Sequence, residues 1–312
     1  MILVTGGTGF IGKALVRNLV QSGKSVRILI RPSPRSPNLP VGVPVEVAVS
    51  SLNDTRGLRA AMVGVDIVYH LAGVERRGAY ASLMSVDIQG TRAVSQAAAD
   101  ARVDRIFYLS HLGADRASAY PVPKAKAIGE EAIRRSRIDY TIMRSSIVYG
   151  PNDGFTTGLA RLISTLPYIF PIPGDGETLL QPLWVEDLVT CLTWALDDDT
   201  TRNQIYEIGG PEYQSFTNVL NLIMEAIDIR RRLVPVRPPY LRGLTVFLES
   251  FLPGLPVSVY WLDYLATNRT CALDTIPRVF KLMPARMPQH LGYLHGIQWR
   301  NTFMQAFFRR TR

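Results

Sequence analysis

Only two cysteines, Cys191 and Cys271, occur in the 312 residues. That is too few for a disulfide framework, so a reducing compartment is the simpler setting. Long apolar runs are lacking as well. The stretches LISTLPYIFPIPG (162–174) and SFLPGLPVSVYWL (250–262) are uncharged but broken by prolines, and a spanning helix needs roughly 20 apolar residues. Met1 leads straight into ILVTGG without a basic stretch or a cleavage site, so no signal peptide is expected. There is no helix-turn-helix, zinc or RNP signature, which argues against nucleic acid. Ser110 and Ser118 sit in no G-x-S-x-G elbow, which argues against a hydrolase. His290 and His295 have no cysteine or carboxylate beside them, and Asp197, Asp198 and Asp199 read as a solvated helix end, so no metal is expected.

Apolar residues make up 47% of the chain, enough for a sizeable core. The net charge of +9 is unevenly spread. Residues 151–229 hold 2 basic and 12 acidic side chains, and residues 230–312 hold 13 and 3. A basic tail behind an acidic middle suggests internal complementarity and an anionic or acidic partner.

Strand-like runs occupy 2–5, 26–30, 45–49, 66–70, 105–109 and 140–144. Helical patterns fall between them at 10–22, 55–63, about 80–101 and 124–137. Strands apolar throughout, alternating with helices, predict a doubly wound α/β fold with a parallel sheet covered on both faces. Beyond Gly150 prolines and glycines become frequent. Helices are expected at 155–166, 186–196 and 216–228. The reading is a Rossmann-type domain over 1–150 and a smaller, partly helical C-terminal lobe over 151–312.

VTGGTGFIGKAL (4–15) places Gly6, Gly9 and Gly12 between the first strand and the first helix. Gly6 makes the turn, Gly9 admits a pyrophosphate to backbone amides, and Gly12 lets helix pack on strand. Arg31 follows the second strand where an acidic residue would bind a ribose 2′-hydroxyl. With Arg35, it favours NADP(H), with NAD(H) as the lesser choice.

These motifs resemble the extended and atypical short-chain dehydrogenase/reductase superfamily over residues 1 to about 230. VDIVYHLAG (65–73), SVDIQGTRAV (85–94), MRSSIVYGPND (143–153) and LWVEDLVT (183–190) are similar to its further signatures. SHLGA (110–114), KAKAIGEEAI and PVSVYWLDYLATN resemble the branch containing the nucleotide-binding accessory subunit of respiratory complex I and its bacterial relatives. The resemblance implies a cofactor set of Gly6, Thr8, Gly9, Phe10, Ile11, Gly12, Arg31, Arg35, Leu71, Ala72, Gly73 and Ser110. It also implies a Tyr-x-x-x-Lys pair, matched in spacing by Tyr120 and Lys124, with the tyrosine as acid/base and the lysine on the nicotinamide ribose. The sequence departs from the family at Asp87 (asparagine is usual), Ser145 (proline), Ser51 (aspartate) and Leu112 (a catalytic serine or threonine). Pro123 disfavours α geometry at Val122 and argues against one regular turn joining Tyr120 to Lys124.

Two functions follow as expectations. One is a low-activity or non-catalytic cofactor-binding subunit of a membrane-associated, complex I-like assembly. The other is an NADP-dependent reductase, epimerase or dehydratase with Tyr120 as acid/base. Trp299, Phe303, Phe307 and Phe308 fall at helical spacing, flanked by Arg300, Arg309, Arg310 and Arg312. This tail is expected to dock on a membrane-associated protein complex or an anionic membrane surface. That implies a cytoplasmic protein, peripheral at the inner face of the membrane.

A folded Gly9→Val chain is expected to lose NADPH binding, because the side chain enters the space of the pyrophosphate. Fluorescence titration checks this, and undiminished binding would remove the glycine loop from the site.

Overall fold

The structure is a computed structural model and describes residues 1–34, 39–74, 82–251 and 258–303. Strands β1 (Ile2–Thr5), β2 (Val26–Ile30), β3 (Glu46–Val49), β4 (Ile67–His70), β5 (Arg105–His111) and β6 (Asp139–Ser145) pair in parallel. A seventh strand, Gln204–Ile208, pairs with the outer edge of β6. From that edge the order runs Gln204–Ile208, β6, β5, β4, β1, β2, β3. The direction of winding reverses between β1 and β4, which opens a crevice at their carboxyl ends.

The strands alternate with period two, yet both faces are apolar. Ile2, Val4, Ile28, Tyr69, Phe107 and Met143 belong to one core cluster. Leu3, Leu29, Val68, Ile106 and Ile142 belong to the other. Helix α1 (Phe10–Gln21) packs in the first cluster, while α2 (Thr55–Ala61) and α3 (Thr91–Asp100) pack in the second. The expected helix over 80–101 is instead a π-helical stretch, Met84–Gly90, running into α3.

Helix α4 (Pro121–Arg135) starts three residues earlier than the pattern suggested, with Tyr120 as an extended N-cap residue at φ −92° and ψ 133°. Pro121 and Pro123 occupy its first turn, where amides lack intrahelical partners and a missing N–H costs nothing. The expectation that Pro123 would keep Tyr120 and Lys124 out of one turn is corrected, since Lys124 N donates to Tyr120 O at 3.3 Å.

A division at residue 150 does not describe the packing. Helices α5 (Thr156–Thr165) and α7 (Phe216–Ala226) build a second core with Phe170, Tyr260 and Trp299. But α6 (Val185–Trp194) supplies Leu188, Val189 and Leu192 to the sheet's core, and Ile208, Ile276 and Phe280 join them. The chain returns to the sheet because β6 would otherwise be an open apolar edge.

Helix α8 (Pro238–Phe251) follows the second core's strand Arg232–Val236, and the short α9 (Val259–Tyr264) comes after it. Trp299 and Phe303 are only 6% and 8% exposed. The expected docking face on the tail is therefore corrected for these two, which pack inward. Phe307, Phe308, Arg309, Arg310 and Arg312 lie outside the described residues. No described helix is long and apolar enough to cross a membrane.

Arg105 is wholly buried on β5. It donates to Thr141 and Thr201 hydroxyls and, at 2.9 Å, to the Ala195 carbonyl, and its guanidinium lies 4.5 Å from the centre of the Phe107 ring. It thus ties β5 and β6 to the end of α6. Arg105→Ala is expected to destabilise the fold by about 3 kcal/mol, because buried acceptors lose their donor. Urea unfolding checks the loss, and an unchanged midpoint would refute it.

Candidate functional site: a dinucleotide cleft

The loop after β1 is built for close approach. Gly6 has φ +75°, and a Cβ there would lie 2.8 Å from the backbone of Leu71 and Ala72. Gly9 N donates to Gly6 O at 2.9 Å, and a Cβ on Gly12 would overlap the same oxygen. Only glycine lets α1 start this near β1, and its free amides then face the crevice.

Two adjoining cavities, about 290 and 410 Å³, share Gly6, Gly9, Leu71, Gly73 and Val74 as lining. The inner one adds Phe10, Ile11, Gly12 and Ser110. The outer one adds Thr8, Arg31 and Ala72, together with Ser50, Ser51 and Asn53. Most of the expected cofactor residues are thus brought to one cleft. Arg35 lies outside the described residues.

Tyr120 and Lys124 line neither cavity, and Lys124 is exposed. The basic residue that α4 turns into the inner cavity is Lys126, 5% exposed. One turn before it, where a Tyr-x-x-x-Lys register would put the phenol, stands the buried Val122. The signal for Lys126 was present in KAKAIGEEAI, but two lysines two residues apart lie on opposite sides of a helix. Only the phase of α4 decides which one enters.

Lys126 Nζ pairs with the fully buried Asp87 at 3.1 Å and lies 5.6 Å from the centre of the Tyr108 ring. Asp87 Oδ2 also accepts from Val74 N at 3.2 Å, which ties the pair to the loop after β4. Behind it, Thr91 Oγ1 donates to Asp87 O (2.6 Å) and so must accept from His70 Nε2 (2.9 Å). His70 Nδ1 then accepts from Thr5 Oγ1 at 2.6 Å. Burial, aided by the charge of Lys126, pushes the His70 pKa down to about 3. The imidazole is therefore a neutral spacer joining the ends of β1 and β4.

Ser110 donates to Glu130, which holds Arg144 through two contacts of 2.9 and 2.7 Å. Its hydroxyl is thereby committed to a structural carboxylate. Leu112 is buried and absent from the lining, and its carbonyl accepts from His111 Nδ1 at 2.7 Å. His111 Nε2 faces Tyr260 Oη at 3.5 Å, and both line the inner cavity with Tyr264, Ser145 and Ser146. Sequence reading missed Tyr260 and Tyr264 as lining because they sit about 150 residues beyond β5 and reach the cleft only through tertiary packing. Among the described residues, no cluster of His, Cys, Asp and Glu is placed to hold a metal ion.

An open parallel sheet with a glycine loop and a two-part cleft at its switch point defines a Rossmann-type dinucleotide-binding protein. The chain belongs to the NAD dependent epimerase/dehydratase family, whose sequence model matches residues 2–209. The expected superfamily and fold are borne out. The chain is similar to a ceramide reductase of Caulobacter vibrioides, with 32% identity over 187 residues, 60% of this chain and 58% of that one. It is also similar to NADH dehydrogenase (ubiquinone) 1 alpha subcomplex subunit 9 of Arabidopsis thaliana mitochondria, with 26% identity over 81% of this chain and 64% of the other. It thus spans about six tenths of these relatives. In fold it matches the triphenylmethane reductase of Citrobacter sp. complexed with NADP(H), with a TM-score of 0.75, 18% identity, and coverage of 94% and 99% of the two chains. The family's cofactor is a nicotinamide dinucleotide, and the residues present fit one: a side-chain-free loop at Gly9, a lysine amine in the inner cavity and a separate outer cavity.

His70 gives a pH test. Its folded pKa is depressed, so its contribution to stability is present above the unfolded value near 6.5 and is lost as the pH falls toward 3. Between pH 7 and 5.5 this amounts to about 1.2 kcal/mol. Urea midpoints at the two pH values should differ more for the wild type than for His70→Gln, and equal differences would contradict the assignment.

Proposed function

We propose that the protein is an NADP(H)-binding subunit, weakly active or inactive in catalysis, of a membrane-associated respiratory assembly. The observation that carries the reading is Val122, one turn before Lys126. In active relatives a tyrosine at that register is the proton donor. Here an isopropyl group replaces it, and Leu112 stands where a carbonyl-polarising hydroxyl is expected. Losing one such donor typically costs on the order of 10²–10³ in rate. What remains is binding machinery: the glycine loop for the pyrophosphate, Lys126 for the nicotinamide ribose, and Arg31 beside the outer cavity for a 2′-phosphate. When bound, the dinucleotide would supply a hydride, and the residues around it would hold and shield it.

The similarity to a mitochondrial NADH dehydrogenase subunit supports the assembly. The charge distribution and the outer face of α8 support a station at the inner face of a membrane. Tyr240, Phe247 and Phe251 are exposed there, and Arg230, Arg232 and Arg237, in the stretch leading into the helix, are exposed as well. An apolar helix face preceded in the chain by exposed arginines suits an anionic bilayer surface. A second reading, a reductase, draws on the contact of Tyr260 with His111 in the inner cavity rather than on Tyr120.

The test is a set of NADPH and NADH titrations on the wild type, Lys126→Ala and Lys124→Ala. NADPH is expected to bind more tightly than NADH. Lys126→Ala is expected to lose at least tenfold in NADPH affinity while Lys124→Ala stays at the wild-type value. Equal loss in both variants would refute the Lys126 assignment. Carbonyl reduction near the enzyme median of about 10 s⁻¹ would refute the non-catalytic reading.

A further inference from the structure

A third cavity, about 290 Å³, lies in the C-terminal lobe between α5, α8 and α9. Among the described residues, no charged side chain lines it. Leu159, Leu162, Phe170, Leu241, Leu248 and Trp261 are among its wall residues. Two of its hydroxyls are engaged locally: Thr165 donates to Arg161 O, and Ser258 accepts from Tyr260 N. A polar ligand entering here would give up water and find few replacements. A space of this kind is at the small end of ligand pockets and suits an apolar occupant.

The cavity's roof is unusual. In α8 the buried side chains are the polar ones, Thr245 and Glu249, while Tyr240, Phe247 and Phe251 are 71%, 56% and 68% exposed. Leu241, Leu244 and Leu248 face the cavity, so α8 carries apolar side chains on its outer face as well as its inner one. Two polar ties hold it in place: Arg242 pairs with Asp263, and Glu249 accepts from Val259 N at 3.2 Å. Leu244 lines the cavity and is also half exposed, so it stands at the cavity's mouth. The floor is α9. Its Tyr260 and Tyr264 line the dinucleotide cleft while its Trp261 and Leu262 line the cavity.

We propose that this cavity binds a hydrocarbon chain of a membrane amphiphile, admitted beneath α8 while the outer face of that helix rests on the bilayer. The chain lies in the cavity, the polar end stays at the mouth beside Leu244, and α9 separates the chain from the dinucleotide cleft. The proposal goes beyond cofactor binding and stands without it.

The test uses the full chain and 11-(dansylamino)undecanoic acid as the probe. The wild type is expected to give saturable, blue-shifted emission that oleic acid reverses. Leu248→Trp, which fills the cavity from α8, is expected to lower probe affinity at least tenfold with NADPH titration unchanged. Leu162→Trp fills it from α5 and serves if the first variant does not fold. Absence of saturable binding in the wild type, or undiminished binding in a folded filled variant, would overturn the site. A second arm separates uptake from solution and from a bilayer, using vesicles of phosphatidylglycerol and phosphatidylcholine. Phe247→Glu with Phe251→Glu should keep the solution affinity and lose at least tenfold in co-flotation with vesicles. Wild-type flotation by that variant would overturn entry from the membrane. Loss of NADPH binding with probe binding retained would count against the cofactor reading alone.

Discussion

The buried pair of Asp87 and Lys126 is the constraint around which the cleft is arranged. Two charges removed from water are tolerated only when they face each other and their remaining bonding capacity is met. Here Val74 N meets part of the need on the carboxylate, and the Tyr108 ring lies within cation–π range of the ammonium. That requirement fixes α4 against the π-helical stretch, and the stretch against the end of β4. Through Thr91, it also joins His70 to Thr5 across the switch point. The polar chain therefore spans the line along which the sheet reverses its winding, where a dinucleotide belongs.

The phase of α4 follows from its first turn. With Pro121 as the first helical residue and Tyr120 capping from an extended conformation, Lys126 enters the cleft and Val122, one turn earlier, is buried in the second core. Lys124, two positions before Lys126, points to solvent. A single register thus separates a phenol–ammonium pair at the helix end from the amine that lines the cleft. The position one turn before Lys126 is apolar, and the hydroxyl of Ser110 is committed to Glu130.

The second lobe is organised around α9, which presents tyrosines to one cavity and Trp261 with Leu262 to another. It is six residues long and could not hold such a position alone. Its clasp to α8 by one ion pair and one carboxylate–amide contact explains how α8 keeps an apolar face outward. The cost of that exposure is offset by polar ties within the lobe.

Much of the fold was legible in the residues. Strands buried on both faces read as continuous apolar runs, and the glycines at 6 and 12 occupy places where backbone approach forbids a side chain. Those local features determined the parallel sheet, the cleft and most of its loop contacts. Tertiary structure alone decided the rest. Spacing cannot choose between Lys124 and Lys126, because both satisfy a helical pattern and only packing against Asp87 sets the phase. It cannot bring Tyr260 to His111, since that contact bridges two lobes. Nor could aromatic periodicity tell that Trp299 and Phe303 turn inward while Phe247 and Phe251 turn outward, because direction depends on which surfaces the surrounding chain leaves open.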